Sequence, residues 1–323
     1  MNHDILNLEH IIAADYDNIA GIVVMKKGKT VYERYFDGFN PEDTVHIMSV
    51  TKSIVSALIG IAIDKGFIKN PDQKVLDFFP DYTIKRGEHT IQNVTIKQML
   101  TMTAPYKYRN EPYTKVYTSN DWTKAALDLL GGKAGITGNF MYSTVGTQIL
   151  SGILVNAAGR SVVDFAAENL FEPLGIVVLG NREIRNKNEH FAFLKDRHVS
   201  GWAMDPKGVN TAGWGLCLTP RDMAKIGQLY LDGGISEGRK ILSRQWIEES
   251  TKEKSRWGEL PYGYLWWIIN DSKGPCYAAI GDCGNFIFVN KKKNIVVAIT
   301  SRFKPKYNVR LELVTREIVP IFE

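Results

Sequence analysis

The sequence is poor in several features that would narrow its function at once. It has three cysteines in 323 residues: Cys217, Cys276 and Cys283. The count is odd and sparse and no pair has CxxC spacing, so neither a disulfide framework nor a zinc knuckle can be drawn. All three are expected to be reduced and structural. The six histidines (His3, His10, His46, His89, His190 and His198) show no metal-ligand spacing. No metal and no cofactor is expected. GxSxG and HExxH are absent. Gly28-Lys29-Thr30 ends like a phosphate-binding loop but lacks the earlier glycine, and it falls in a hairpin rather than before a helix.

Charge of one sign is also scarce. Forty basic side chains face 35 acidic ones, a net charge of +5. That excess is too thin and too dispersed for a nucleic-acid surface. The densest run, Lys291-Lys292-Lys293, lies between two apolar stretches and reads as a solvated hairpin turn. No stretch approaches the roughly 20 apolar residues needed to span a bilayer, and Met1–Asp15 has no continuous apolar segment of the signal-peptide kind. With Met1 as the start, a cytoplasmic protein without a membrane span is expected.

Hydrophobic residues make up 44% of the chain and charged residues 23%, which is ordinary for a globular protein. Ile19–Met25 and Thr30–Phe36 are β-branched and aromatic runs around a glycine-containing turn, hence a hairpin. Ser53–Lys65 is apolar on most sides and stops at Gly66, hence a buried helix. A short helix is predicted over Thr95–Thr101, and further helices over Asn120–Leu130, Thr144–Ala158 and Ser161–Leu170. Residues 180–210 read as loop. Thr219-Pro220 caps a helix to Leu231, and Ser243–Glu249 is another. Tyr264–Asn270, Tyr277–Ile280, Asn285–Asn290 and Ile295–Ser301 then read as an antiparallel meander, and Arg310–Ile318 closes as a helix. Strands at both ends and helices between predict an α/β (α+β) fold. One sheet joins the N-terminal hairpin to the C-terminal meander and carries flanking helices. The chain reads as a single domain, 1–323, with a sheet lobe of 1–60 and 210–323 and a helical lobe of 61–209. The cleft between lobes is the natural place for a site.

Three segments could carry chemistry. Ser49-Val50-Thr51-Lys52 opens the buried helix, with serine and lysine three apart on one face. A serine hydroxyl needs a base to become a nucleophile, and a lysine in a partly dry site has a lowered pKa and can serve. Tyr142-Ser143-Thr144 precedes a helix, and a tyrosine near a lysine can lose and relay a proton. Ala279-Ile280-Gly281-Asp282 lies at a strand edge, where glycine lets a ligand approach the backbone. His46 reads as a buried structural histidine, and Trp266 and Trp267 read as core.

Together and in this order, these segments resemble the serine β-lactamase and penicillin-binding family. Ser49–Asp64, Gln98–Thr103, Phe171–Ile176, Gly215–Leu231 and Tyr262–Trp267 look like segments of the same family. The likeness runs from about residue 20 to 302. It is strongest to the class C-like esterase and amide-hydrolase branch, of the 6-aminohexanoate-dimer hydrolase type. The resemblance implies a β-lactamase-like fold and a serine hydrolase that cleaves an ester or amide through an acyl-enzyme. It assigns Ser49 as the acylated residue, Lys52 as the group that holds its proton, and Tyr142 as the proton relay. The backbone N–H groups of Ser49 and Asp282 would form the oxyanion hole, with Tyr106, Trp214 and Gly281 in the substrate cleft. The partner implied is a small ester, amide or peptide-like substrate. Two departures stand out. The family's Tyr-x-Asn ends here in Thr144, and its Lys/His-Thr-Gly corresponds to Ala279-Ile280-Gly281, without cation or hydroxyl. Losing such a charge-assisted contact costs about tenfold to a hundredfold in binding, so weak penicillinase activity is expected. Two alternatives stay open: a β-lactam or D-amino-peptide hydrolase, and a catalytically silent binding module of the same fold.

Overall fold

The computed structural model describes residues 2–271 and 274–323. Its centre is an eight-stranded antiparallel sheet. From one edge the strands run Lys29–Tyr35, Ile19–Lys26, Ile295–Ser301, Asn285–Asn290, Gly274–Gly281, Trp267–Asp271, Leu260–Tyr262 and Ser255–Trp257. The N-terminal hairpin joins the C-terminal meander through pairs such as Ile22–Ile299 and Val24–Val297. The lysine run at 291–293 turns between two of these strands, as expected.

Both faces of the sheet are covered, which explains why its central strands are apolar throughout rather than alternating. In the last strand Ile295, Val297 and Ile299 point to one core, while Val296 and Ala298 point to the other. The first core is closed by Leu8 and Ile12 of the Asn2–Asp15 helix and by Leu313, Val314 and Ile318 of the C-terminal helical segment. The other core holds the Val50–Asp64 helix, the Pro220–Leu231 helix and the helices of the middle region. Gly227 of Pro220–Leu231 packs so close that a Cβ there would lie 2.5 Å from Val296 Cγ1.

Two local readings need correction. Residues 180–210 contain a helix, Lys187–Lys195, and two short paired strands, Asn181–Glu183 and Trp202–Met204. Asn186 caps that helix by accepting from the Asn188 and Glu189 amides, but only Phe193 on it is buried, so it has little apolar periodicity to read. The Asn2–Asp15 helix was not expected either; it is held by two apolar residues four apart, Leu8 and Ile12. Elsewhere the capping signals are realised. Thr219 forms a capping box with Asp222, Thr95 does the same with Gln98, and Gly159 ends Thr144–Ala158 in the left-handed conformation. The three cysteines are buried and none is joined in a disulfide. Among the described residues no single helix is long and apolar enough to cross a membrane.

Candidate active site

A two-residue strand, Val45–His46, pairs with Cys217–Leu218 and delivers the chain to the start of the Val50–Asp64 helix. Between them Met48 takes a φ of 52°, a costly left-handed conformation for a residue with a side chain. The turn places Ser49 at the N-cap. A serine there ordinarily accepts from an amide of the first turn, but Ser49 makes no such bond. Its Oγ instead accepts from Lys52 Nζ at 2.9 Å.

Lys52 is 1% exposed. Its ammonium nitrogen also donates to Gly213 O at 2.8 Å and to Thr144 Oγ1 at 3.2 Å, and it lies 4.9 Å from the centre of the Tyr142 ring. Burial pushes its pKa down to about 7, partly offset by the negative charges of Glu111 and Asp282. Tyr142 is 37% exposed and stacks on Trp267, with ring centres 6.0 Å apart. Desolvation pushes its phenol above the ordinary value, against a hydrogen-bonding contact with Ser49 that lowers it. The expectation that Lys52 makes Tyr142 ionise readily is therefore reversed: Lys52 is the group drawn toward its free base, and Tyr142 stays a proton donor.

Gly281 closes the site from the sheet side. A Cβ on it would sit 2.5 Å from Ile47 O and 3.2 Å from Ser49 N. The strand thus runs directly against the Ser49 amide, and Asp282, exposed, follows at the start of a short turn whose other residues, Cys283 and Gly284, are buried. Among the described residues no acceptor takes the Ser49 N–H, so it is free to face an oxyanion. Ala279 is fully buried, and no cation stands in its place. Tyr106 stacks on Tyr108 with ring centres 5.1 Å apart. Trp214 lies behind Gly213, 4% exposed, among Tyr117, Trp122, His190 and His46. His46 accepts the Gly215 amide at 2.6 Å, and burial drives its pKa down to about 3, which fits a neutral structural histidine.

Two participants have no signature in the sequence. Glu111 sits in a loop, yet its carboxylate accepts from Val145 N at 2.6 Å and Ser143 Oγ at 2.8 Å, at the mouth of the Thr144–Ala158 helix. Its charge is what the N-terminal dipole favours. Trp267, read as core, is half-buried against Tyr142; the adjacent Trp266 is fully buried. Among the described residues no three His, Cys, Asp or Glu side chains converge as a metal group.

A serine and a desolvated lysine thus meet at a helix N-terminus, beside a tyrosine and a close-packed strand. The chain belongs to the Beta-lactamase family, whose profile matches residues 9–318. It is similar to a 6-aminohexanoate-dimer hydrolase of Paenarthrobacter ureafaciens, 25% identical over 302 residues that cover 85% of this chain and 70% of that one. In fold it is similar to a D-stereospecific amidohydrolase from Streptomyces (TM-score 0.72, 15% identity, 98% of each chain). It is likewise similar to the octameric penicillin-binding protein homologue from Pyrococcus abyssi (TM-score 0.71, 23% identity, 94% of this chain and 74% of that one).

Proposed function

We propose that the protein is a serine hydrolase of ester or amide bonds that works through an acyl-enzyme on Ser49. The observation that carries this reading is the 2.9 Å contact between Ser49 Oγ and a buried Lys52 whose pKa is pushed down to about 7. Free-base Lys52 takes the Ser49 proton as Oγ bonds to the substrate's carbonyl carbon. The carbonyl electron pair moves onto oxygen, facing the N–H groups of Ser49 and Asp282. When the intermediate collapses, the bond to the leaving group breaks. Tyr142 protonates that group and recovers its proton from Lys52. Water then attacks the acyl carbon by the reverse relay, and the acid leaves. Ala279 and Thr144 supply neither of the polar groups that hold a β-lactam carboxylate in the family, so a substrate other than penicillin is favoured. The similarity to a 6-aminohexanoate-dimer hydrolase and, in fold, to a D-stereospecific amidohydrolase points the same way.

Intact-mass spectrometry tests this with a p-nitrophenyl ester, a fluorophosphonate and a penicillin, each on wild type and Ser49→Ala. A Ser49-dependent adduct from the first two, little from penicillin, and an esterase kcat at least about 1000-fold lower in Ser49→Ala are expected. Stable penicillin labelling would favour the penicillin-binding reading. No adduct from any probe would favour a silent module.

A further inference from the structure

Beside the Ser49–Lys52–Tyr142 cluster lies a cavity of about 1160 Å³. Its inner wall includes Tyr106, Tyr108 and Met141. Tyr108 shares a 2.6 Å hydrogen bond with Ser143 Oγ, and Met141 leads directly into Tyr142. The Tyr106 hydroxyl lies against Gly146 in the first turn of the Thr144–Ala158 helix, where an added Cβ would overlap it. The cavity is thus joined to the site through Met141, next to Tyr142, and through Tyr106 and Tyr108, which touch Gly146 and Ser143 at the start of the Thr144–Ala158 helix.

The charge of the cavity is one-sided. Its lining holds five lysines and arginines against one carboxylate, Glu88. Glu88 is already engaged by Lys107 at 3.2 Å and by the Ile91 amide at 3.1 Å, and Lys85 faces Asp128. Arg86, Arg109 and Lys133 remain, and among the described residues no carboxylate pairs with any of them. Opposite, on the sheet side of Ser49, stands the carboxylate of Asp282, with uncharged Ala279 before it. The Glu111 carboxylate lies between, tied to Ser143 and Val145; the unpaired cations lie at the cavity and none stands at Ala279, the reverse of a site that takes its anion at a Lys-Thr-Gly strand.

We propose that this cavity is an anion subsite for the substrate and that the enzyme prefers substrates whose far end carries a carboxylate, received by Arg109 and Lys133. Arg109 is the better placed of the two for a lasting contact, because its loop is tied to the site two residues on by Glu111. Guanidinium and carboxylate pair in a bidentate fork. The inference rests on the hydrolase reading above.

The test uses matched substrates with the full-length protein. One pair has p-nitrophenol as leaving group and either a glutaryl or a butyryl acyl chain. A second pair keeps butyryl and places the carboxylate, or nothing, on the phenol. The wild type is expected to show a kcat/KM at least about tenfold higher for the anionic member of one pair. Arg109→Gln with Lys133→Gln should collapse that ratio toward one, and 0.5 M salt should weaken it in the wild type. Equal kcat/KM within both pairs, or a ratio untouched by the double variant, overturns the subsite. Fluorophosphonate labelling of Ser49 in the same samples reads the hydrolase assignment separately: labelling without anion preference sinks the subsite alone, and no labelling sinks the assignment.

Discussion

Lys52 makes three contacts through one nitrogen, and the chemistry of the partners constrains its protonation. The Gly213 carbonyl can only accept, so it must hold an N–H. Ser49 and Thr144 are hydroxyls and can act either way. A neutral amine therefore fits the same geometry: two N–H groups go to Gly213 and Thr144, and the lone pair receives the Ser49 O–H. Burial draws the pKa to about 7, so this state is populated near neutrality. Esterase kcat/KM is expected to fall below about pH 7 as Lys52 takes up its proton. Glu111 and Asp282 are the charges that hold the pKa up against desolvation. Glu111→Gln removes one of them, so Lys52 stays deprotonated down to a lower pH, and the acid limb should move to lower pH. A pH–rate profile checks this; an unmoved limb would mean that Glu111 acts only by tying Ser143 and Val145.

At the scale of elements, the site is the meeting of a helix start and a strand end that have no room between them. The Val50–Asp64 helix is buried from Val50 through Ala62, which dries Lys52, and Gly281 lets the strand reach the Ser49 amide. Gly281→Ala would put a Cβ 2.5 Å from the Ile47 carbonyl oxygen, a backbone atom that cannot swing aside. Overpacking of this kind costs about 1–3 kcal/mol. If the displacement falls on the oxyanion contact, kcat drops about tenfold to a hundredfold. Steady-state kinetics beside a thermal melt distinguish this from global unfolding; a kcat near wild type would show that the strand is not held against Ser49 in the transition state. The helix Lys187–Lys195 and the helix Asn2–Asp15 show the other side of element formation. Each buries few apolar residues, so caps and neighbours rather than periodicity define them.

At the scale of the whole molecule, the two ends of the chain converge behind the turn at Asp282. Arg310, near the C-terminus and 1% exposed, donates to Asn18 Oδ1 at 2.5 Å, to Ser301 Oγ at 3.3 Å and to Cys283 O at 3.4 Å. Asn18 in turn donates to the same Cys283 carbonyl at 2.7 Å. Cys283 has a φ of 62°, so this network holds a residue in an unfavourable conformation directly after Asp282. Arg310→Met leaves the buried Asn18 Oδ1 without its donor, while Cys283 O keeps only Asn18, and should destabilise by about 1–3 kcal/mol. It should also lower kcat more than it raises KM. Denaturant unfolding and kinetics measure both; lost stability with unchanged kcat would separate the network from the chemistry.

Much of this was legible in the chain itself. Caps, glycine stops and β-branched runs act over a few residues, so the Thr144–Ala158 and Pro220–Leu231 helices and the strands Asn285–Asn290 and Ile295–Ser301 could be placed from local signals. Ser49 and Lys52 were legible for the same reason, because three residues on a helix necessarily share a face. The tertiary structure alone decided the rest. It carried Glu111 and Gly213 to within one contact of the reacting groups and set Trp267 against Tyr142. It also turned the phenol upward and the lysine downward in pKa. Those outcomes depend on which distant groups exclude water and which charges stand opposite, and no short-range pattern along a chain encodes a long-range field.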